Sequence, residues 1–180
     1  MRLILNKTLI LIPGTHVFGL LWQPYLQSVG IPISVFGVLL ALSSAIVWLL
    51  LNNVKMIERH VGIRTLIFST GLLSMIAFAI AGLSRSFVSA LCFYFVISIL
   101  MWLRLPVFSH YMNQHINSHH RATVLSGLSM IDSLFDVIIF LIAGFITDIN
   151  LSYTLLFSAG LMLITLVFFP VKHIHIKVGT

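Results

Sequence analysis

Six apolar runs of roughly 20 residues each divide almost the whole chain between them. They cover about residues 4–27, 34–53, 65–83, 87–108, 122–146 and 153–169. An α-helix rises 1.5 Å per residue, so ~20 residues cross a ~30 Å hydrocarbon core. The runs are continuous rather than alternating, which argues against strands. The pattern predicts an all-α membrane protein: a six-transmembrane-helix bundle forming a single transmembrane domain over residues 1–180.

Composition supports this and removes other classes. Hydrophobic residues are 59% of the chain and charged residues 8%, against ~25% charged in a soluble domain. The formal charge of +6 comes from basic residues scattered at helix ends, not from a patch; a lipid bilayer explains them and nucleic acid does not. With the N-terminus inside, Arg2, Lys7, Lys55, Arg59, Arg64, Arg104, Arg121, Lys172 and Lys177 fall on the cytoplasmic side, and only Arg85 falls outside. That asymmetry is the positive-inside signal. It predicts a multi-pass protein of the cytoplasmic (inner) membrane with both termini cytoplasmic. Arg2 and Lys7 precede the first apolar stretch as in a signal peptide. No small-residue cleavage site follows, and the run continues into Trp22, Pro24 and Tyr25, so it reads as a retained span. Cys92 is alone, which excludes a disulfide framework or a cysteine-rich metal site.

The fifth run is the most informative. Ser126, Ser129, Asp132, Ser133 and Asp136 fall within about a 120° arc at 100° per residue, opposite an apolar face. Asp132 lies about 15 Å along the helix from Ala122, near the bilayer midplane. A carboxylate there needs a cavity or a partner. Two carboxylates one turn apart repel, and removal from water also acts against the charged form, so the pair could share and release a proton. The alternative is a hydrogen-bonded seam against another helix. In the first run, Pro13, Gly14, His16, Gln23, Pro24, Tyr25 and Gln27 make an unusually polar and broken span. Such interruptions often line substrate paths, and His16 and Gln23 are the candidates here. In the fourth run Tyr94, Ser98 and Trp102 recur every fourth residue and share a face suited to flat, apolar or cationic ligands, or to plain packing. Arg104 is close enough to the cytoplasmic end to snorkel there. The third and sixth runs carry little beyond Ser, Thr and Gly, and read as lipid-facing.

Eight histidines raise the question of a metal. HINSHH, with His115, His119 and His120, has the look of one histidine box of a membrane di-iron enzyme, and His173 and His175 fall on the same side. His16 and His60 are isolated, and the polar segment holds no acidic residue. A hydrated loop accounts for the run. No metal, no cofactor and no catalytic residue is expected, and the chain does not read as an enzyme.

Three stretches carry a resemblance. LWQPYLQSVGIPISVFGVLLALSS resembles the seventh and eighth helices of major facilitator superfamily transporters. RLPVFSHYMNQHINSHHRATVLSGLSM resembles that family's end of helix ten and start of helix eleven, through Arg104, Pro106, Tyr111, Asn113 and Arg121 to Ser126. AGFITD, around Gly144 and Asp148, is similar to the end of helix eleven. The likeness implies half of a major-facilitator-type fold, equivalent to the C-terminal six helices, with Arg104, Pro106, Arg121 and Ser126 as structural motif positions. It implies a secondary active transporter module for a small-molecule substrate. Its drug-efflux-like members are the nearest in pattern, with protons as coupling ion. A second six-helix half or a second copy would be needed to complete the central cavity. It also implies that the first helix lines that cavity. The competing readings are a non-transporting membrane fragment or interaction module and, further off, a histidine-iron enzyme.

Overall fold

A computed structural model describes residues 2–115 and 121–169, and every element among them is helical. The first run is helical from end to end but in three pieces: α1 (Arg2–Leu11), a π turn (Ile12–Val17) and α2 (Phe18–Ser28). Pro13 explains the break. It has no N–H to give the carbonyl one turn back, so the ladder shifts register. The Thr15 hydroxyl instead donates to the Leu11 carbonyl at 2.6 Å. After a short 3₁₀ turn (Ile33–Val35) come α3 (Phe36–Asn52), α4 (Val54–Val61), α5 (Ile63–Leu83), α6 (Phe87–His115), α7 (Arg121–Ile149) and α8 (Leu151–Phe168). Five of these helices are long and apolar enough to cross a membrane, namely α3 with its 3₁₀ turn, α5, α6, α7 and α8.

The charged connector VKMIERHVGIR is not a plain loop. Its first eight residues form α4, whose Val54 and Ile57 pack on Leu66, Ile67, Val107 and Phe108 while Lys55, Arg59 and His60 stay exposed. Helices α6 and α7 also run past the expected ends at 108 and 146. At the opposite end of the bundle, the Ser86 hydroxyl accepts from the Ser89 N–H at 3.1 Å, and the Asn150 side chain accepts from the Ser152 N–H at 2.9 Å. Both satisfy first-turn donors left free at a helix start.

The expectation that the third and sixth runs face lipid is corrected. About 44% of the apolar window is buried in both α5 and α8, against 17% for α3 and 11% for α7. Small residues cause this. Ser74, Ala81 and Gly82 of α5 are buried, as are Ser152, Ser158 and Ala159 of α8. A Cβ at Gly82 would lie 2.7 Å from Leu156 Cγ and 3.1 Å from the Ser152 carbonyl oxygen. Without a hydrophobic drive inside lipid, helices associate where small side chains let backbones close up. A span rich in Ser, Gly and Ala therefore sits inside the bundle, and the Leu- and Ile-rich α3 and α7 keep open faces. An aromatic centre fills the rest of the core: Phe93 lies 5.5 Å from Phe18, 5.4 Å from Tyr25 and 4.9 Å from Phe78, ring centroid to centroid. Edge-to-face pairs of this kind add attraction beyond the area they bury.

Candidate functional site

A groove follows the first helix between α3, α6 and α7. At one end is a cavity of about 460 Å³ walled by Phe18, Trp22, Trp48, Tyr94 and Trp102, with Ser43, Ser44 and Ser98 supplying its hydroxyls. A volume in this range suits a small organic molecule. The Tyr94 hydroxyl shares a 3.2 Å hydrogen bond with Ser43, and Ser98 donates to the Tyr94 carbonyl at 2.7 Å. Both polar groups are thereby satisfied within the wall, which leaves aromatic faces as the main recognition surface. Trp22 tilts against Tyr94 at 5.2 Å and Phe36 at 5.1 Å. Tyr94, Ser98 and Trp102 thus line one cavity together, with Trp102 largely exposed at its mouth.

Phe18, Ser98 and Trp102 also belong to a neighbouring space of about 200 Å³ beside Gly14, Thr15, Met101 and Leu105. Thr15 and Leu105 in turn border a third space of about 130 Å³ that contains Lys7, Thr8, His16, Asp132 and Asp136. Shared lining residues set the three spaces side by side along the first helix, apolar and aromatic at one end and charged at the other. Gly14 sets its depth. A Cβ there would meet Met101 Sδ at 2.3 Å, so the π turn rests directly on α6.

The charged end is built between the first helix and α7. Lys7 Nζ donates to Asp132 Oδ2 at 2.9 Å, and the Thr8 hydroxyl donates to Asp132 Oδ1. His16 Nδ1 lies 2.5 Å from Asp136 Oδ1, and its ring stacks on Phe140 at 6.1 Å. Each carboxylate is therefore directed to its own cationic or titratable partner. Order along both helices is the same, with Lys7 opposite Asp132 and His16 opposite Asp136. This follows because the first helix and α7 run in the same direction through the bundle. Charge-assisted bonds of this type are the strong class, and they compensate the carboxylates for their removal from water.

Arg104 is not snorkelled. It is fully buried; Nη1 donates to the Ile67 carbonyl at 2.6 Å and to Thr70 Oγ1 at 2.9 Å, and Nη2 donates to Asn6 Oδ1 at 2.9 Å. Its guanidinium carbon lies 4.8 Å from the centre of the Phe108 ring, and Nε has no partner. Neutral acceptors inside the bundle replace the water that snorkelling would have reached. Asn6 extends the cluster by donating to the Phe169 carbonyl at 2.9 Å, so α1, α5, α6 and the end of α8 meet there.

Other sequence candidates fall elsewhere. Gln23 is exposed and lines none of the three spaces. Pro106 sits inside α6 with an exposed ring, and Ser126 is exposed on α7. Arg121 opens α7, but its side chain lies outside the described residues, as do those of Tyr111, Asn113 and His115. His119, His120, His173 and His175 lie outside the described residues altogether. Among the described residues no three His, Cys, Asp or Glu side chains converge on a point that could hold a metal. Sequence reasoning missed Lys7, Thr8, Asn6 and Met101 as partners. The available signal was that Lys7 and His16 are the basic residues of the first run beyond Arg2, facing a fifth run with two acids.

No family model, no curated protein and no solved structure matches the chain.

Proposed function

We propose that the chain is a module of a secondary active transporter: the six-helix half of a major-facilitator-like protein that moves a small molecule, coupled to protons. The observation that carries the reading is the groove, which joins an aromatic cavity to two carboxylates held by Lys7 and His16. Ionisable groups at membrane depth are expensive and are typical of ion and substrate paths. Adjacent spaces that lead from aromatic walls to such groups bring a substrate site and a proton site close together. The π turn and Pro13 add the interrupted helix that such paths favour. The resemblance of the RLPVFSHYMNQHINSHHRATVLS region supports the family and the half-length assignment.

In this reading the first run, broken at Pro13, is the sixth spanning element, and both termini are cytoplasmic. The open faces of α3 and α7 receive a second six-helix half or a second copy of the chain, which closes the groove into a central cavity. The chain would reside in a cytoplasmic (inner) membrane. A direct test reconstitutes the chain in proteoliposomes with and without a matching six-helix half, and imposes a pH gradient. Uptake or efflux of a fluorescent aromatic probe is then followed. Gradient-driven flux is expected with the assembled pair and not with the chain by itself. Absence of flux from every assembly that folds and pairs would refute the transporter reading in favour of a non-transporting interaction module.

A further inference from the structure

We infer that His16 is the group that takes up the proton, and that its contact with Asp136 is a protonation-controlled latch holding the π turn against α7. The sequence left two readings of Asp132 and Asp136 open, a proton-sharing pair or a hydrogen-bonded seam. The geometry separates the two acids. Asp132 already holds a donor on each oxygen, Lys7 Nζ and the Thr8 hydroxyl. Among the described residues Asp136 bonds an imidazole, and imidazole is the side chain whose charge changes in the physiological range.

The position of His16 makes that change mechanical. It lies in the π turn, where the helical ladder is already out of register at Pro13. That turn is held on one side by the close approach of Gly14 to Met101 of α6 and on the other by the His16–Asp136 contact with α7. The imidazole is about half-exposed, and it borders the charged end of the groove, so a proton can reach it. With His16 protonated, an imidazolium faces a carboxylate at 2.5 Å. With it neutral, a hydrogen bond to the carboxylate can remain, but the attraction between two opposite charges is gone. Uptake of a proton closes the latch and its loss loosens it. Among the described residues, the other titratable groups around the turn are Lys7 on α1 and Asp132 on α7. The face of α6 offers Met101, Trp102 and Leu105; its Tyr94 packs on Phe18 with its hydroxyl on Ser43, and its Arg104 is turned away toward Asn6 and Thr70. Tyr25 of α2 and Tyr153 of α8 belong to the far end of the bundle, where Tyr25 bonds the Ala81 carbonyl.

The latch rests on the transporter reading only for its use, which is to make the first helix's fit against α7 depend on proton occupancy. The test uses the full chain in lipid nanodiscs, in a Cys92→Ser background. Spin labels are placed at Gly19→Cys, where an added Cβ meets nothing, and at exposed Leu141→Cys. The inter-label distance is measured by pulsed electron resonance from about pH 5 to 9. The His16 imidazole is followed over the same range by NMR, assigned by the signal lost in His16→Gln. The distance distribution is expected to broaden to longer values as pH rises, with the midpoint of the His16 titration. His16→Gln is expected to lose the pH dependence, and Asp136→Asn, which removes the opposite charge, to lose the short-distance population at low pH. A pH-dependent distance that persists in His16→Gln overturns the latch. So does an imidazole that titrates without any change in distance, or does not titrate at all. If His16→Gln fails to fold, the unsubstituted protein still decides, because midpoints more than about one pH unit apart refute the assignment. Flux without a latch and a latch without flux are separate outcomes, so each reading can fail by itself.

Discussion

Removing the guanidinium of Arg104 is expected to cost less than removing one of its acceptors. Arg104→Met loses three hydrogen bonds donated by the guanidinium and its contact with Phe108. It also removes the cost of holding an ion away from water, which is several kcal/mol. Of the groups left behind, the Asn6 Oδ1 acceptor loses its donor, and the others keep partners. The Thr70 hydroxyl still donates to the Leu66 carbonyl at 2.8 Å, Asn6 still donates to the Phe169 carbonyl, and the Ile67 carbonyl belongs to the helical ladder of α5. Methionine, unbranched and flexible, follows much of the same path. Replacing a buried charge by an apolar side chain of similar volume is often close to neutral, and a change within about 2 kcal/mol of zero is expected. Asn6→Leu does the opposite. It keeps the buried charge, whose Nε already lacks a partner, and takes away the acceptor of Nη2. A charged donor left unsatisfied costs about 2–4 kcal/mol. Unfolding in graded SDS, read by intrinsic fluorescence, measures both variants on one scale. An Arg104→Met protein markedly less stable than Asn6→Leu would show that the charge itself, not its satisfaction, holds this corner together.

Three further expectations are independent of that cluster. Gly14→Leu forces a side chain into the space of Met101 Sδ and is expected to cost about 1–3 kcal/mol; Met101→Ala should recover part of it, and a double-mutant cycle with no coupling would mean the π turn does not rest on α6. Lys7→Met leaves Asp132 without its cation in a partly buried site, a loss of about 2 kcal/mol between the exposed and buried extremes; Lys7→Met with Asp132→Leu should unfold at higher SDS than Lys7→Met, and equal midpoints would deny the pairing. Impermeant thiol reagents added from outside should label Ser84→Cys and Asn150→Cys in a Cys92→Ser background but not Asn117→Cys or Thr180→Cys, and outside labelling of Asn117→Cys overturns the orientation.

The sequence by itself determined the class of the protein and most of its helices. Runs of this length and apolarity have few other solutions, because a backbone in lipid must satisfy its own hydrogen bonds. It also picked out the groups with chemistry. Asp132, Asp136 and His16 were visible because an ionisable side chain inside an apolar run has no cheap place to go. What it could not supply was adjacency. Asp132 and Asp136 looked like each other's partner because they are four residues apart on one helix. Only the packing of the first helix beside α7 brought Lys7, 125 positions away in the chain, to Asp132. Arg104 looked able to reach the membrane surface because its distance to the helix end was legible. That Asn6, Thr70 and the Ile67 carbonyl wait around it inside the bundle was not. The lipid-facing reading of the third and sixth runs failed for the same reason. Apolarity is a property of one helix, whereas burial depends on how closely two backbones can approach. In α5 and α8 the small side chains that made the runs look featureless are what let them meet.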